Sequence, residues 1–212
     1  MHRSAIREAT VILLGLAVVW AVLLFVFPWG SVIAAVCFGY TIYFFRDPDR
    51  RPPDDARVVV SAADGRVVEV EELPETEFSK LPLRRVSVFL SVFDVHVNRA
   101  PLAGVVVETA ERTGKFLDAR SPRSSALNAA RLWLLDTKYG RVAVRQISGA
   151  IARRIVPWSE VGDTLARGEK FGMIRFGSRT DVYLPIDAEV LVRVGARVRA
   201  GETAIARMKE AV

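Results

Sequence analysis

No charged side chain occurs between Glu8 and Arg46, and this stretch restricts the fold more than any other. Drawn out as one straight helix at ~1.5 Å per residue, it would reach roughly 55 Å, far past a bilayer core of about 30 Å. It must therefore be divided. Pro28-Trp29-Gly30 is the natural break, because proline cannot continue a helix. The break leaves Ala9 to Phe27 as a spanning segment and Ser31 to Phe45 as a shorter one, which spans by thinning the bilayer or dips into one leaflet. Arg3 and Arg7 precede the first segment, Arg46, Arg50 and Arg51 follow the second, and the turn carries no charge. Lys and Arg favour the cytoplasmic face. The expectation is an N-terminal helical membrane hairpin, residues 1–45, in the cell membrane, with the rest of the chain on the cytoplasmic side. A secretory signal would need a small-x-small cleavage site, and a lipoprotein signal a small residue before Cys37, where Val36 stands.

Arg46-Asp-Pro-Asp-Arg-Arg-Pro-Pro-Asp-Asp55 cannot continue a helix, so residues 46–56 read as a linker. Residues 57–212 are enough for one domain with a proper core. The formal net charge of +6 suits an anionic membrane surface or an acidic ligand. No glycine-rich phosphate loop follows a strand, and no nucleic-acid partner is expected. Cys37 is the only cysteine and lies in the apolar stretch, while His96 is the only histidine outside the terminus. That excludes an intrachain disulfide and a zinc site built on paired histidines, so no metal is expected.

After the linker the hydrophobic period becomes two. Arg57 to Ser61, Arg66 to Val70, Val86 to Val97, Val105 to Glu108, Arg141 to Ile147, Ile151 to Val156, Val190 to Val194 and Thr203 to Ala206 read as short strands. Asp64-Gly65 and Tyr139-Gly140 sit where hairpin turns are needed, and Ser124 to Ala130 is the best helical piece. The expected fold is mainly β, of the α+β class. Val161-Gly162 followed by Gly168-Glu169 is echoed by Val194-Gly195 followed by Gly201-Glu202. Such units recur in lipoyl-type β-barrels, where glycines turn the chain between short strands. A carrier would present a lysine at a hairpin tip, and Lys209, near the terminus, does not serve.

Three polar residues are candidates for chemistry. Asp64 is by its neighbours a turn residue; His96 shares one face of an expected strand with Asp94 and Asn98; Ser178 follows Gly177 between the apolar runs 171–176 and 182–184. Locally, Gly177-Ser178 is a hairpin turn. Residue types alone leave open a membrane-anchored serine hydrolase using uncut Ser178, His96 and Asp64, although the Gly-x-Ser-x-Gly elbow is missing. They also leave open a non-catalytic, lipoyl-like scaffold.

Five segments reach further: Phe44-Phe-Arg-Asp-Pro-Asp-Arg-Arg-Pro-Pro53, Ala63-Asp-Gly-Arg66, Ser91-Val-Phe-Asp-Val-His-Val-Asn-Arg-Ala-Pro-Leu-Ala-Gly104, Arg145-Gln-Ile-Ser-Gly-Ala-Ile-Ala-Arg-Arg-Ile155 and Phe171-Gly-Met-Ile-Arg-Phe-Gly-Ser178. From about residue 44 to the C-terminus, in this order, they resemble the short, archaeal-type branch of the phosphatidylserine decarboxylase proenzymes. The resemblance implies self-cleavage between Gly177 and Ser178, giving a beta chain 1–177 and an alpha chain 178–212 that stay together as a heterodimer. It implies that Ser178 becomes a covalent pyruvoyl group, which forms a Schiff base with the amine of a phospholipid substrate in the membrane and promotes loss of carbon dioxide. A higher homo-oligomer is left open.

Within that resemblance His96 is the expected base and proton donor, with Asp64 to orient it or stabilise its charge. Arg99, Arg153 and Arg154 are candidates for the lipid phosphate, since guanidinium forks match phosphate oxygens. In the longer bacterial and mitochondrial branch a second histidine stands where Arg99 is here, and Leu-Gly-Ser-Thr replaces Phe176-Gly-Ser-Arg179. His96 is therefore expected to serve both self-cleavage and decarboxylation, or to be helped by Arg99 or Asp94. Asn128-Ala-Ala-Arg131 replaces the Asn-Glu-Arg of many relatives, which removes any acid at position 129.

Overall fold

The uncharged stretch folds as two helices, α1 (Arg3–Val26) and α2 (Gly30–Phe44). The computed structural model describes residues 3–27, 29–121, 123–150, 154–175 and 177–209; Pro28, the expected helix breaker, lies outside the described residues. Gly30 N donates to Phe27 O at 2.9 Å, closing the turn between the helices. Ile6–Leu24 is long and apolar enough to cross a membrane, whereas α2 is shorter, about 22 Å at the usual rise. Val11, Leu14, Val18 and Val22 on α1 are exposed, as a lipid-facing surface requires. The two threonine hydroxyls of these helices bond back to the backbone: Thr10 Oγ1 donates to Ile6 O and Thr41 Oγ1 to Cys37 O, both at 2.8 Å. At the end of α2 the Arg46 guanidinium lies 3.8 Å from the Tyr43 ring centre, a cation–π contact.

Residues 49–212 form a separate compact unit, built almost wholly of antiparallel strands. In chain order these are β1 (Val58–Val60), β2 (Gly65–Leu73), β3 (Leu83–Leu90), β4 (Val97–Arg99), β5 (Gly104–Arg112), β6 (Ala130–Thr137), β7 (Gly140–Ile147), β8 (Ile155–Pro157), β9 (Thr164–Leu165), β10 (Lys170–Ile174), β11 (Ser178–Pro185), β12 (Glu189–Val190), β13 (Arg197–Val198) and β14 (Ala204–Arg207). One eight-stranded sheet runs β13-β2-β3-β11-β7-β6-β5-β9, and two three-stranded sheets run β1-β14-β12 and β4-β10-β8. The curled large sheet packs Val67, Val88, Val106, Trp133, Val144, Val182 and Leu184 against Val59, Leu102, Phe171 and Ile205 from the smaller elements. Each such fully buried Val or Leu contributes about 1.5–3 kcal/mol by transfer from water. On the opposite face of the sheet Leu83, Leu132, Leu134, Ala143 and Tyr183 form a second cluster, with Phe78 packed on it.

The glycine echo is a structural repeat. Gly162 N donates to Val106 O and Gly195 N to Val67 O, each at 2.8 Å; Val106 N returns to Asp163 O and Val67 N to Ala196 O, each at 2.9 Å. Thus β9 caps one edge of the large sheet and β13 the other. The second glycine of each unit, Gly168 and Gly201, has φ +81° and +75°, and a Cβ on Gly201 would lie 3.5 Å from Gly168 Cα. The two turns meet back to back.

Several expected elements are corrected. Val86 to Val97 is not one strand: β3 ends at Leu90 because Asp94 accepts hydrogen bonds from Ser91 N (2.9 Å) and Ser91 Oγ (2.6 Å), building a side-chain turn. Asp94 and His96 therefore precede β4 rather than lying in a strand. Asp64-Gly65 is no hairpin, since β1 pairs with β14 and β2 with β3. Gly177-Ser178 is no hairpin either: β10 and β11 belong to different sheets, and the step is a crossing between them. The helical piece stops at Leu127 as α3 (Ser124–Leu127), where Asn128 turns its side chain to Leu117 N and O, each at 2.9 Å. Of the strand expected from Ile151 to Val156, residues 151–153 lie outside the described residues, and β8 begins at Ile155. The Tyr139-Gly140 hairpin is present, with Thr137 paired to Gly140 between β6 and β7.

Candidate active site

Strand β11 lies in the middle of the large sheet because both its faces are covered; all its residues from Ser178 to Leu184 are buried. It pairs with β3 (Ser178 opposite Leu90) and with β7 (Arg179 opposite Ile147). Ser178 is its first residue and is 0% exposed. Its Oγ is buried with no hydrogen-bond partner among the described residues, a condition that costs about 1–3 kcal/mol for a hydroxyl. Gly177 ahead of it has φ +62°, in the left-handed region that a side chain disfavours.

His96 stands at the same corner. Ile174 N, at the end of β10, donates to His96 O at 3.2 Å, and four residues later the chain reaches Ser178. The connections 91–96 and 175–177 thus link the same two sheets. His96 Nδ1 lies 2.9 Å from Asp94 O. A carbonyl can only accept, so Nδ1 carries a proton, and whenever the ring is neutral the lone pair is on Nε2. Asp94 itself is held by Arg197 at 2.8 Å and by Ser91.

Asn98, two residues on, ties this corner to β11. Trp133 Nε1 can only donate, and it donates to Gln146 Oε1 at 2.9 Å; Gln146 Nε2 then donates to Asn98 Oδ1 at 2.8 Å. That orders the Asn98 amide, whose Nδ2 reaches Ala62 O at 3.1 Å and Thr180 Oγ1 at 3.3 Å. Thr180 is two residues beyond Ser178 on the same face of β11.

Asp64 is nearby but differently engaged. One oxygen accepts from Arg50 at 2.8 Å and the other from Ala200 N at 2.7 Å, so the carboxylate is occupied while Asp94 O holds the imidazole. Burial pushes the Asp64 carboxyl above the usual range against those two bonds, and the negative charge of Asp94 adds to the rise. Of the candidate arginines, Arg99 is 6% exposed and donates to Gly168 O at 3.0 Å, a role in the fold. Arg153 lies outside the described residues. Arg154 is exposed and lines a cleft of ≈ 210 Å³ with Arg131, Ser148, Ala129 and Ile155. Arg175 N donates to Arg154 O at 3.2 Å, so these two residues face each other across β10 and β8.

Sequence reasoning did not single out the far side of β11. Arg179 is 1% exposed and Asp181 0%; Arg179 Nε donates to Asp181 Oδ1 at 2.7 Å, and the same guanidinium binds Glu69 and, at 2.7 Å, Ser87 Oγ. Ser125 Oγ donates to Asp181 Oδ2 at 2.7 Å. The signal was the alternation Arg179-x-Asp181 directly after Ser178, which sets both charges on one strand face. A cavity of ≈ 630 Å³ is also on this far side, lined by Phe78, Leu81, Leu134, Ala143 and Tyr183. Burial pushes the Tyr183 hydroxyl up to about 12, which makes it a poor proton carrier at neutral pH, and Ser178 lies on the other face.

Residues 38–206 match the family model described as phosphatidylserine decarboxylase. Three proteins named phosphatidylserine decarboxylase proenzyme are similar over most of their length. That of Symbiobacterium thermophilum is 46% identical over 213 aligned positions, covering 99% of each chain. That of Pelobacter propionicus is 45% identical over 190 (84% of this chain, 86% of the relative), and that of Gluconacetobacter diazotrophicus 47% over 184 (85% and 82%). On these matches the chain belongs to the phosphatidylserine decarboxylase family.

Proposed function

We propose that the chain cuts itself between Gly177 and Ser178, turns Ser178 into a pyruvoyl group, and decarboxylates phosphatidylserine to phosphatidylethanolamine at a membrane. The observation that carries the reading is the Ser178 hydroxyl: buried, without a hydrogen-bond partner among the described residues, and joined to a glycine with φ +62°. An unsatisfied buried hydroxyl joined to the carbonyl it would attack is poised to react rather than to stabilise.

In the first step Ser178 Oγ bonds to the Gly177 carbonyl carbon, the peptide C–N bond breaks, and the hydroxyl proton passes to the released nitrogen. No water is consumed. Removal of the Ser178 α-proton then expels the Gly177 carboxylate, and hydrolysis of the remaining enamine takes up one water and releases ammonia. His96 Nε2 is the assigned proton acceptor in both steps, its tautomer set by Asp94 O. Asp64 contributes negative charge that favours the imidazolium, and its bond to Ala200 N holds the 199–201 turn.

Ser178, Gly177 and His96 fit the pyruvoyl group. Once formed, it supplies a ketone that condenses with the headgroup amine and draws electrons from the carbon that loses carbon dioxide. His96 returns a proton to that carbon. Arg154, at the cleft beside Ser148, is assigned the lipid phosphate. The N-terminal helices keep the enzyme where its substrate is, which spares an extraction cost of about 0.8 kcal/mol per exposed CH2. The arginines that flank the apolar stretch favour a cytoplasmic position for the catalytic unit in the cell membrane.

Intact mass tests the reading. Two chains, 1–177 and 178–212, are expected, the smaller closed to Edman chemistry, and Ser178→Ala leaves one inactive chain. A single chain of full mass in active protein would sink it and leave the serine hydrolase, which a hydroxyl 0% exposed at the head of a central strand already disfavours. Vesicles of diacyl or ether-linked serine lipid then tell which backbone is accepted.

A further inference from the structure

The register between β7 and β11, with Arg179 opposite Ile147, carries on past the strand ends to set Ser148 opposite Ser178 and Gly149 opposite Gly177. Ser148 is held firmly. Its N and Oγ both donate to Ala129 O at 2.9 Å, and its carbonyl accepts from Asn128 Nδ2 at 2.8 Å. Gly149 is therefore delivered to a fixed place.

Nothing in its own backbone calls for glycine there, since Gly149 is absent from the described glycines with positive φ. The demand comes from one neighbour. A Cβ on Gly149 would lie 1.7 Å from the Gly177 carbonyl oxygen and 2.9 Å from its carbon, while the next atom, Ala119 Cβ, is at an ordinary 3.6 Å. The space denied to a side chain at 149 is filled by the single peptide group that the proposed self-cleavage breaks.

We propose that Gly149 is a positioning residue for self-cleavage: its missing side chain lets the Gly177 carbonyl seat against the end of β7, where Ser178 Oγ can attack it. The proposal rests on the self-cleavage reading. It assigns Gly149 to the first step, in which the Oγ–C bond forms and the peptide C–N bond breaks, and not to folding. A methyl group at 149 would push the carbonyl away by more than 1 Å, and a misplacement of that size costs roughly 100-fold in rate. The displaced segment is a crossing between sheets, so no ladder bond of β7 or β11 need break.

The test follows the full-length protein by intact mass after synthesis. Gly149→Ala should convert to two chains at least ~100-fold more slowly than the unaltered chain. Hydroxylamine, which splits an ester but not a peptide, should release no 1–177 hydroxamate from it. Ser178→Ala and Ser178→Ala/Gly149→Ala, both uncut, should melt within a few degrees of each other. Cutting of Gly149→Ala at the normal rate overturns the proposal. So does an ester that accumulates and yields to hydroxylamine, which would move Gly149 to a later step. Failure of the double variant to fold, or a large drop in its melting temperature, would assign the glycine to the fold and overturn it as well. If the unaltered chain itself stays whole, the self-cleavage reading fails first, and the two failures are told apart.

Discussion

Asn98 Nδ2 lies 3.3 Å from Thr180 Oγ1, and that contact ties the histidine corner to the strand that begins with Ser178. His96 is two residues before Asn98, Ser178 is two residues before Thr180, and both chains leave the contact toward the connections 91–96 and 175–177. Because the Asn98 amide is oriented from Trp133 through Gln146, the spacing between the His96 and Ser178 segments is anchored in the core. Asn98→Ala should leave the Gln146 and Thr180 polar groups short of a partner at about 1–3 kcal/mol each. A fall in melting temperature on the order of 5–10 °C is expected for a domain of this size, together with slowed cutting, both read on the same preparation.

His96→Gln removes the lone-pair nitrogen and keeps most of the volume. General-base loss typically costs 10²- to 10⁴-fold, so the precursor should persist at least ~100 times longer, as followed by mass or gel. Cutting at the normal rate would assign the base elsewhere.

Asp181→Asn breaks the Arg179–Asp181 pair, which is all but fully buried. Leaving a buried arginine without its carboxylate is expected to cost about 3–5 kcal/mol. Chemical denaturation of the uncut Ser178→Ala background with and without the change measures it, and a difference under ~1 kcal/mol would show that Glu69 and Ser87 suffice.

Asp64 gives a pH dependence with a defined sign. Its folded pKa is raised above the ordinary value of 3.8 by burial, so the folded state holds this proton more tightly than the unfolded chain does. The contribution is favourable below the unfolded pKa and is lost as pH rises from about 4 through the folded value. Asp64→Asn should flatten that part of the stability curve, seen as a smaller difference in urea midpoint between pH 4 and pH 7 in the uncut background.

Arg154→Glu should raise KM for phosphatidylserine in vesicles by roughly 10- to 100-fold, the worth of a charge-assisted hydrogen bond, with kcat little altered. An unchanged KM ends the phosphate assignment.

The sequence announced some of this plainly and concealed the rest for physical reasons. The uncharged stretch between Glu8 and Arg46 could only be helical in an apolar medium, and Asp-Pro-rich residues after it could not extend α2. The glycine echo was visible because Gly168 and Gly201 meet where neither tolerates a side chain easily. β6 escaped notice because Leu132 to Leu135 are buried on both faces, which erases the period-two signal of a half-exposed strand. The break between Leu90 and Val97 was hidden because apolar spacing continues through it while Asp94 folds back on Ser91. At the site, residue type pointed to Ser178 and His96, but the imidazole is held by a backbone carbonyl, which no side-chain pattern reveals. Gly149 was equally hidden, since it meets Gly177 across the sheet and not through its neighbours along the chain.

The place of β11 in the sheet has a consequence for how such a molecule comes into being. Eight residues from Ser178 to Pro185 pair with β3, and five of them with β7 as well, so the large sheet has no middle without them. While the chain is continuous, the linkage through residues 175–177 delivers this strand to its slot at low entropic cost. With the bond before Ser178 cut as proposed, a melted protein must recapture a free peptide of the segment 178–212 between two strands that are themselves incomplete. The mature enzyme should therefore unfold without return while the uncut Ser178→Ala form refolds, so the information needed to assemble the sheet exists only in the precursor.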